Sequence, residues 1–563
     1  MRQGLRFDYR GDALNSTSIG GEQSSWRVRL PWVAAVGVML ILVVAAAVLP
    51  KSVSWDPSYG MLAADHFVTG RSSDLTLFRM ADAAELSRDL NYDPGYWAPG
   101  YQFIPWHCRF GSLSWGVALQ ITVAASLALG LVGWGIYFWR TLESAALAAC
   151  LLLAVACSRY SWVHTVVYQG GDLLLWAAAP WVMLMNLRAI TGPPPWIALA
   201  SLATAGVFLL KYSAAFMALG FGAFWLWSRW NRSATTARLV LWFAILVASF
   251  TAIRIMGFPS GSNPSSTRSG WLILEGIGSL GLVASGPTDF ESMAAKALET
   301  LSLSGTEWHI GAAGFSLLVV TIVALILAQR QSNQARTING DAGTARMAGL
   351  IVGATDILAL AGLYAVGGNL GPQARLGRVA GLFLLPVAIH ILIRSWRSRS
   401  LVTRWMTRGV IAALVILPPL YGVAAGVPKL VKRWQNRRSS IGSDGVVCSY
   451  LSAATPHDQF FAEVVSFLPE KNTLLVVAHP QLVFPRKSGR ILVFDGLKTL
   501  SLTQFQTVRF NGIPREGIAL LTQQNEADEP RVELLRKAFS DVPSWVRYEL
   551  RTERGWELWI SER

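Results

Sequence analysis

The sequence predicts an all-α polytopic membrane protein of about 11 transmembrane helices with a small soluble α/β domain at its C-terminal end. Of its 563 residues, 52% are hydrophobic and only 15% are charged, whereas soluble chains carry about 25% charged residues. Apolar runs long enough to cross a bilayer recur along the first three quarters of the chain. Short strand-like runs replace them in the last quarter.

The first run, at 31–50, follows a polar segment that carries several arginines, so we interpret it as a retained helix and not as a cleavable signal. The runs on either side of position 211 are shorter than the roughly 20 residues that cross the hydrocarbon core. In chain order the predicted spans lie near 31–50, 113–138, 144–158, 171–187, 196–210, 213–228, 239–257, 310–329, 347–366, 379–393 and 409–427.

Basic residues predict the orientation of these spans. The net charge of +15 arises from arginines and lysines that cluster between apolar runs, which is the topology signal of a membrane protein and not a nucleic-acid-binding face. We therefore expect a multi-pass protein of the cytoplasmic (inner) membrane. Its parts would be a cytoplasmic tail (1–30), a transmembrane domain (31–430) with an extracytoplasmic loop (51–112), and an extracytoplasmic domain (440–563).

One connection breaks the charge pattern. The segment "KLVKRWQNRR" (429–438) carries five basic residues on the predicted outer side. Either the preceding run does not cross the membrane, or this segment forms a basic collar on the outer surface. We interpret it as a basic collar.

The C-terminal 120 or so residues have the pattern of a small α/β domain. The runs "NTLLVVAH", "GRILVFDG", "GIALLTQQ" and "WELWISE" predict strands, and "HDQFFAEVVSFL" and "EPRVELLRKAF" have helical spacing. The domain shows no nucleophile motif and no Gly-rich phosphate loop, so its sequence does not indicate a role.

The loop after the first run places polar chemistry at the membrane boundary. In "SWDPSYGMLAADHFVTGR" (54–71), Asp56 follows the run by a few residues, and the apolar positions after it predict a helix lying on the bilayer surface. "LTLFRMADAAELSRDL" predicts a second surface helix. The aromatic and proline-rich "YDPGYWAPGYQFIPW", which contains Tyr96, follows it.

The order of these features resembles the GT-C class of multi-pass glycosyltransferases, in particular the bacterial family similar to protein mannosyltransferases and aminoarabinose transferases. Three later stretches agree with this family: "VVYQGGDLLLWAAAPWVMLM" with Asp172 at its start, "AGVFLLKYSAAFMALGFGAFWLW" with Lys211 at the tip between two short helices, and "GPQARLGRVAGLFLLPVAIHILI". The resemblance covers about residues 30–400.

The resemblance implies an inverting glycosyltransferase that moves a sugar from a polyprenyl-phosphate donor to a lipid, glycan or protein acceptor on the extracytoplasmic side. Asp56 would be the general base, with Asp172 as a second catalytic carboxylate. Pro57 stands where the family commonly has another acidic residue, so a divalent metal is not indicated, and no cofactor is expected. The expected partners are the lipid-linked donor and membrane lipid, and the expected substrate-binding residues are Tyr59, Tyr96, Lys211, Tyr212, Arg375 and Arg378.

Physical arguments favour the same residues. An acceptor hydroxyl needs a carboxylate to take its proton, and a leaving phosphate needs cationic partners. The helix from Trp196 to Lys211 rises only about 22 Å, so Lys211 would end within the membrane, where a charged group is usually functional.

Each residue also has a structural interpretation. Asp56 and Asp172 would cap helices, Lys211 would extend to the surface, and Arg375 and Arg378 would contact lipid headgroups. Within the class, the second hypothesis is a phosphate-sugar or lipid ligase of cell-envelope polymers. A transporter or flippase of lipid-linked intermediates is the alternative from another class, although such proteins often have internal repeats with paired broken helices, which this sequence does not show.

Overall fold

The computed structural model describes most of the chain. The described residues are 21–54, 57–58, 60–61, 75–79, 98–108, 113–142, 144–257, 280, 318–326, 341–365, 374–394, 396, 400–437, 442, 444–452, 455–468, 473–477, 480–483, 489–493, 518–524 and 544–561.

The described part of the chain is mostly helical. Its helices are α1 (Gly21–Val48), α2 (Gly100–His107), α3 (Trp115–Leu142), α4 (Ala145–Ala156), α5 (Arg159–His164), α6 (Gly171–Thr191), α7 (Pro195–Leu210), α8 (Ala214–Trp230), α9 (Thr236–Ile255), α10 (318–326), α11 (Asp341–Ala365), α12 (Ala374–Arg394), α13 (Leu401–Ile411), α14 (Leu417–Gln435) and α15 (His457–Phe467). Buried tryptophans on α3, α6, α8 and α9 lie in the core of this bundle.

The predicted spans coincide with helices wherever they are described, but the number of crossings is not confirmed. Within the described residues, six helices are long and apolar enough to cross a membrane. Three shorter apolar helices, α4, α7 and the apolar part of α12, do not reach that length. The predicted span at 310–329 is described only over α10. The protein is therefore a multi-pass helical membrane protein.

The last predicted span is part of a longer helical run. Helices α13 and α14 are joined without a break by a π-helical turn, Ala412–Ile416, so that helix continues over the 35 residues Leu401–Gln435. At about 1.5 Å per residue this run is about 52 Å long, well beyond the ~30 Å of the hydrocarbon core. A span and a projecting basic end are therefore compatible in one helix.

A three-stranded parallel sheet gathers segments that are distant in the sequence. Its strands are β1 (Lys51–Val53), β3 (Val167–Tyr168) and β4 (Val446–Val447), in the order β3-β1-β4. The end of the bundle where this sheet lies is called the site end here. The sheet joins three segments: β1 follows α1, β3 precedes α6, and β4 precedes the C-terminal domain.

The C-terminal domain is built on a six-stranded sheet of order β2-β6-β5-β7-β9-β8. Its strands are β2 (Leu75–Arg79), β5 (Leu474–Val477), β6 (Gly489–Val493), β7 (Ile518–Gln523), β8 (Trp545–Glu549) and β9 (Trp556–Ser561). The four predicted strands and the first predicted helix, α15, are present, and 529–539 lies outside the described residues.

The prediction of a surface helix starting at "LTLFR" is wrong. Residues Leu75–Arg79 form β2 and pair in parallel with β6, Leu75 opposite Gly489 and Arg79 opposite Val493. The loop at 51–112 thus supplies an edge strand to the sheet of the C-terminal domain. Backbone pairing with a distant strand outweighed the local helical spacing, as happens for short apolar segments.

Candidate functional site

Two glycines at the start of α6, its N-cap Gly170 and its first residue Gly171, allow three elements to meet at the site end. Gly170 has φ +65°, and a Cβ there would lie 2.8 Å from the Pro57 ring, in a conformation that residues other than glycine rarely adopt. A Cβ on Gly171 would lie 2.5 Å from the Leu210 carbonyl oxygen. The first turn of α6 can therefore contact both the segment after β1 and the end of α7.

This close approach brings Asp172 and Lys211 together. Asp172 lies in the first turn of α6, and Lys211 caps the C-terminus of α7. The Lys211 ammonium donates a hydrogen bond to Asp172 Oδ1. Arg375, in the first turn of α12, approaches the other carboxylate oxygen at 3.5 Å. One carboxylate, 8% exposed, is thus shared by two cations.

A third cation lies against an aromatic residue behind this pair. The Arg378 guanidinium lies 3.4 Å from the centre of the Tyr160 ring and is close enough to Asp172 to interact electrostatically with it. Buried cation–π contacts of this kind contribute about 2 kcal/mol. Since Arg378 is only 6% exposed, Tyr160 and Asp172 contribute to the environment that accommodates its charge in the protein interior.

His164 completes the wall of the site on the side of α5. Its ring packs edge-on against Tyr160, with the ring centres 4.0 Å apart. Burial, together with the positive charge of Arg378, lowers the pKa of His164 from 6.5 to about 3. The imidazole is therefore neutral at physiological pH and adds no fourth positive charge.

Helix α11 contributes a second carboxylate. Asp356 is 8% exposed and interacts electrostatically with Lys211, because α11 packs along α8, which begins three residues after Lys211. In the described part of the chain it forms neither a hydrogen bond nor an ion pair. Among the described residues, the site thus contains three cations and two carboxylates.

The structure brings together Asp172, Lys211, Arg375 and Arg378 of the predicted residues. Tyr212 follows Lys211 in the chain, but its ring packs on the Phe208 ring, with the ring centres 4.8 Å apart. Three predicted residues, Asp56, Tyr59 and Tyr96, lie outside the described residues.

The structural interpretations can be compared with these contacts. Gly170, and not Asp172, is the N-cap of α6. Lys211 is paired with Asp172 instead of extending to the surface. The catalytic and binding roles of all these residues remain predictions.

Sequence reasoning missed Tyr160, His164 and Asp356. Asp356 gave a signal that could have been used, because an acidic residue inside an apolar span is expensive and usually functional. Tyr160 and His164 stand four residues apart, as residues on one helix face do, but nothing local indicated that Arg378 would lie against them.

Among the residues that the structure describes, no three His, Cys, Asp or Glu side chains converge as metal ligands do. The arrangement that is present, cations clustered around a buried carboxylate, is suited to binding an anion that can replace the carboxylate as their partner.

Comparison with known proteins supports the fold. No protein-family model matches the sequence, and no curated protein matches it. The structure of ArnT from Cupriavidus metallidurans bound to undecaprenyl phosphate is similar at a TM-score of 0.51 and 15% identity, over 94% of this chain and 97% of that chain. The same protein in the apo state gives a TM-score of 0.39 at 12% identity, over 96% and 98%. The similarity to the structure bound to undecaprenyl phosphate spans nearly the whole of both chains, so the chain has the ArnT-like GT-C fold that the sequence resemblance predicted.

Proposed function

We propose that this protein is a membrane glycosyltransferase that moves a sugar from a polyprenyl-phosphate donor to a hydroxyl of a lipid, glycan or protein acceptor, with inversion at the sugar. The observation that carries the proposal is the convergence of Lys211, Arg375 and Arg378 around Asp172 at the end of a short apolar helix. These cations provide the charge that a lipid-linked phosphate would need as its partner.

The cations have the correct chemistry for the leaving group. When the bond between the sugar and the phosphate breaks, negative charge develops on the phosphate, and cations already in place stabilise it without having to rearrange. Arg375, at 39% exposure, is accessible to a ligand, while Asp172 holds Lys211 in position before the ligand arrives. The phosphate would then take over part of the role of the Asp172 carboxylate.

Asp56 is proposed as the general base. It is bonded to Pro57, whose ring lies against Gly170, two residues before Asp172. Strands β1 and β3 are parallel neighbours, with Val53 opposite Tyr168, so the segments that follow them leave the same edge of the sheet. The position of Pro57 next to Gly170 supports a role for the neighbouring Asp56 in the same reaction as Asp172. Asp56 would accept the hydroxyl proton, and Asp172 would orient hydroxyl groups.

The similar ArnT structure supports the class of donor, because that protein binds undecaprenyl phosphate. We further propose that the site faces the extracytoplasmic side of the inner membrane, that the N-terminal tail is cytoplasmic, and that the domain at 440–563 lies on the same side as the site. The parallel pairing of β4 with β1 supports the last point, since it fixes the start of this domain at the site end.

The test compares sugar transfer by the wild-type protein and Asp56→Asn. Both are purified and incubated with radiolabelled polyprenyl-phosphate sugars and membrane extract. Asn keeps the shape of Asp but cannot accept the proton, so we expect transfer to fall by about 10²–10⁴-fold while donor lipid still binds. Asp341→Asn is the matched control. Asp341 is an exposed aspartate in the first turn of α11, and it precedes Asp356 of the site by about four helical turns.

Equal transfer by wild type and Asp56→Asn would exclude Asp56 as the base and direct attention to Asp172. If neither protein transfers sugar although both bind donor lipid, the enzyme proposal fails and the alternative, a transporter or flippase of lipid-linked intermediates, takes its place.

A further inference from the structure

The basic collar at 429–438 has no part in the proposed reaction, yet it is held firmly at the site end. Four of its five basic residues are described: Lys429, Lys432, Arg433 and Arg437. They occupy the last turns of the 35-residue helical run Leu401–Gln435 and the residues just after it.

Two glycines press this part of α14 onto α5. A Cβ at Gly422 would overlap the backbone of Cys157, and one at Gly426 would lie 2.5 Å from Trp162 Cβ. These contacts turn the side of α14 that carries Arg433 towards β1, where the guanidinium donates to the Ser52 hydroxyl at 3.4 Å. The collar is therefore a fixed surface of the folded protein.

The cations of the collar lie beside further cations. Arg433 lies close enough to Lys51 for their charges to repel, and Lys429 likewise faces Arg159 of α5. The Lys51 ammonium is already occupied, since it donates to the carbonyl oxygens of Ala46, Leu49 and Thr165 at 2.5, 2.7 and 2.7 Å. Its partners are thus main-chain groups and include no carboxylate.

No acidic counterpart to the collar lies among the residues that the structure describes. The stretch from Leu417 to Arg437 contains neither Asp nor Glu. In the described part of the chain, none of its four basic residues forms an ion pair with a carboxylate. Positive charges held together in this way favour an anion supplied from outside the chain.

Apolar side chains next to the collar indicate where this anion comes from. Val427, Val431 and Trp434 share one side of α14 and are 39%, 48% and 47% exposed, as expected of a surface that contacts acyl chains and the headgroup boundary. A crevice between α1 and α3 is lined by the exposed Val48 and Val117 together with Arg437. Apolar surface and positive charge meet there as they do in a phospholipid site.

We propose that the basic collar binds the phosphate of an anionic phospholipid in the leaflet at the site end, with the acyl chains against the apolar side of α14 and the crevice at Val48. This site is separate from the Asp172 site and does not depend on the proposed transferase activity. It would fix the projecting end of α14, and with it β1 and β4, at the level of the headgroups.

The test measures binding of phosphatidylglycerol to the full-length protein in detergent by native mass spectrometry. Arg433→Gln and the double variant Lys429→Gln/Lys432→Gln are compared with Arg404→Gln, which removes one charge at the opposite end of the same helical run. Each charge removed from the collar should weaken phosphatidylglycerol binding about fivefold, since each basic residue near an anionic surface contributes about 1 kcal/mol. The double variant changes only exposed side chains, so it tests the proposal even if Arg433→Gln disturbs packing on β1.

Phosphatidylcholine and inorganic phosphate complete the experiment. The proposal requires that phosphatidylcholine binding be unchanged in the collar variants and that Arg404→Gln bind phosphatidylglycerol as the wild type does. It is wrong if the double variant retains wild-type affinity for phosphatidylglycerol. It is also wrong if inorganic phosphate binds the collar as tightly as the lipid, because the anion would then be a soluble one.

Discussion

Two groups of cations lie at the site end of the bundle, and they differ in their counter-charges. Around Asp172, three cations are interleaved with two carboxylates, and Lys211 and Arg375 both approach the same carboxylate. In the basic collar, cations face other cations, Arg433 beside Lys51 and Lys429 beside Arg159, with no carboxylate partner in the described residues.

The difference shows two ways in which a protein can hold a cation that is to bind a ligand, one within the membrane and one at the membrane boundary. A cation within the membrane is costly without a partner, so the site carries its own carboxylates, and in the proposed reaction a substrate phosphate would replace one of them. A cation at the boundary is partly solvated and can lack a partner until an anion of the bilayer reaches it. Substitutions should therefore have opposite effects on stability in the two regions.

The largest effect is expected from breaking the Asp172–Lys211 pair. Asp172→Leu removes the ion-pair partner of the Lys211 ammonium, and Lys211→Leu leaves the buried Asp172 carboxylate with the longer contact to Arg375 and the charge of Arg378. Each should lower the free energy of unfolding by about 3–5 kcal/mol. The double variant should lose less than the sum of the two single losses, because neither Asp172 nor Lys211 is left without the other. Denaturant titration in mixed micelles measures the free energy of unfolding of the wild type, the two single variants and the double variant.

The four proteins form a double-mutant cycle, and its control is a second cycle with Arg547→Leu and Glu557→Leu. These two residues form an ion pair in the C-terminal sheet, where the arginine is 46% exposed. Solvent there should limit the coupling energy to about 1 kcal/mol or less. Additive losses at Asp172 and Lys211 would show that the two residues are not energetically paired.

A smaller effect should come from protonating His164. The folded-state pKa of about 3 lies below the ordinary value of 6.5, so between these pH values the unfolded chain binds more protons and stability falls as the pH falls below 6.5. From pH 6.5 to pH 5 the loss should be about 2 kcal/mol, because burial, together with the positive charge of Arg378, keeps His164 unprotonated in the folded protein while the unfolded chain binds a proton. His164→Phe keeps the ring on Tyr160 and should remove this part of the pH dependence. An identical pH profile for both proteins would contradict the assignment.

The helical bundle could be predicted from the sequence because its signal is local. Long apolar runs specify helices whatever surrounds them, and every predicted span that is described is helical. Strand β2 could not be predicted in this way, because Leu75–Arg79 becomes a strand only by pairing with β6, about 400 residues later. The short strands β1, β3 and β4 likewise gave no pattern of their own, although they bring the site together.

Only part of the candidate site could be predicted, because some of its residues give a local signal and others depend on contacts between distant segments. Lys211 is conspicuous because a short apolar helix ends in a charge, and Asp172 because it follows two glycines at the start of a span. That these two residues pair with each other depends on the contact of Gly171 with Leu210, which no spacing along the chain encodes. His164 and Tyr160 depend in the same way on the packing of Arg378.

The smallest expected effect is a change in the free energy of unfolding that has opposite signs for substitutions in the collar and in the site. In phosphatidylcholine micelles, Lys429→Gln should raise the free energy of unfolding by about 0.5 kcal/mol, because it removes repulsion from Arg159 at a solvated position. Arg375→Gln, the matched change at the site, should lower it, since Arg375 approaches a buried carboxylate. Adding phosphatidylglycerol should reverse the sign for Lys429→Gln, because the wild-type collar then gains a partner that the variant binds less well, and should leave Arg375→Gln unaffected. If Lys429→Gln destabilises the protein equally in both lipids, Lys429 already has a counter-charge within the protein, and the contrast between the two regions does not hold.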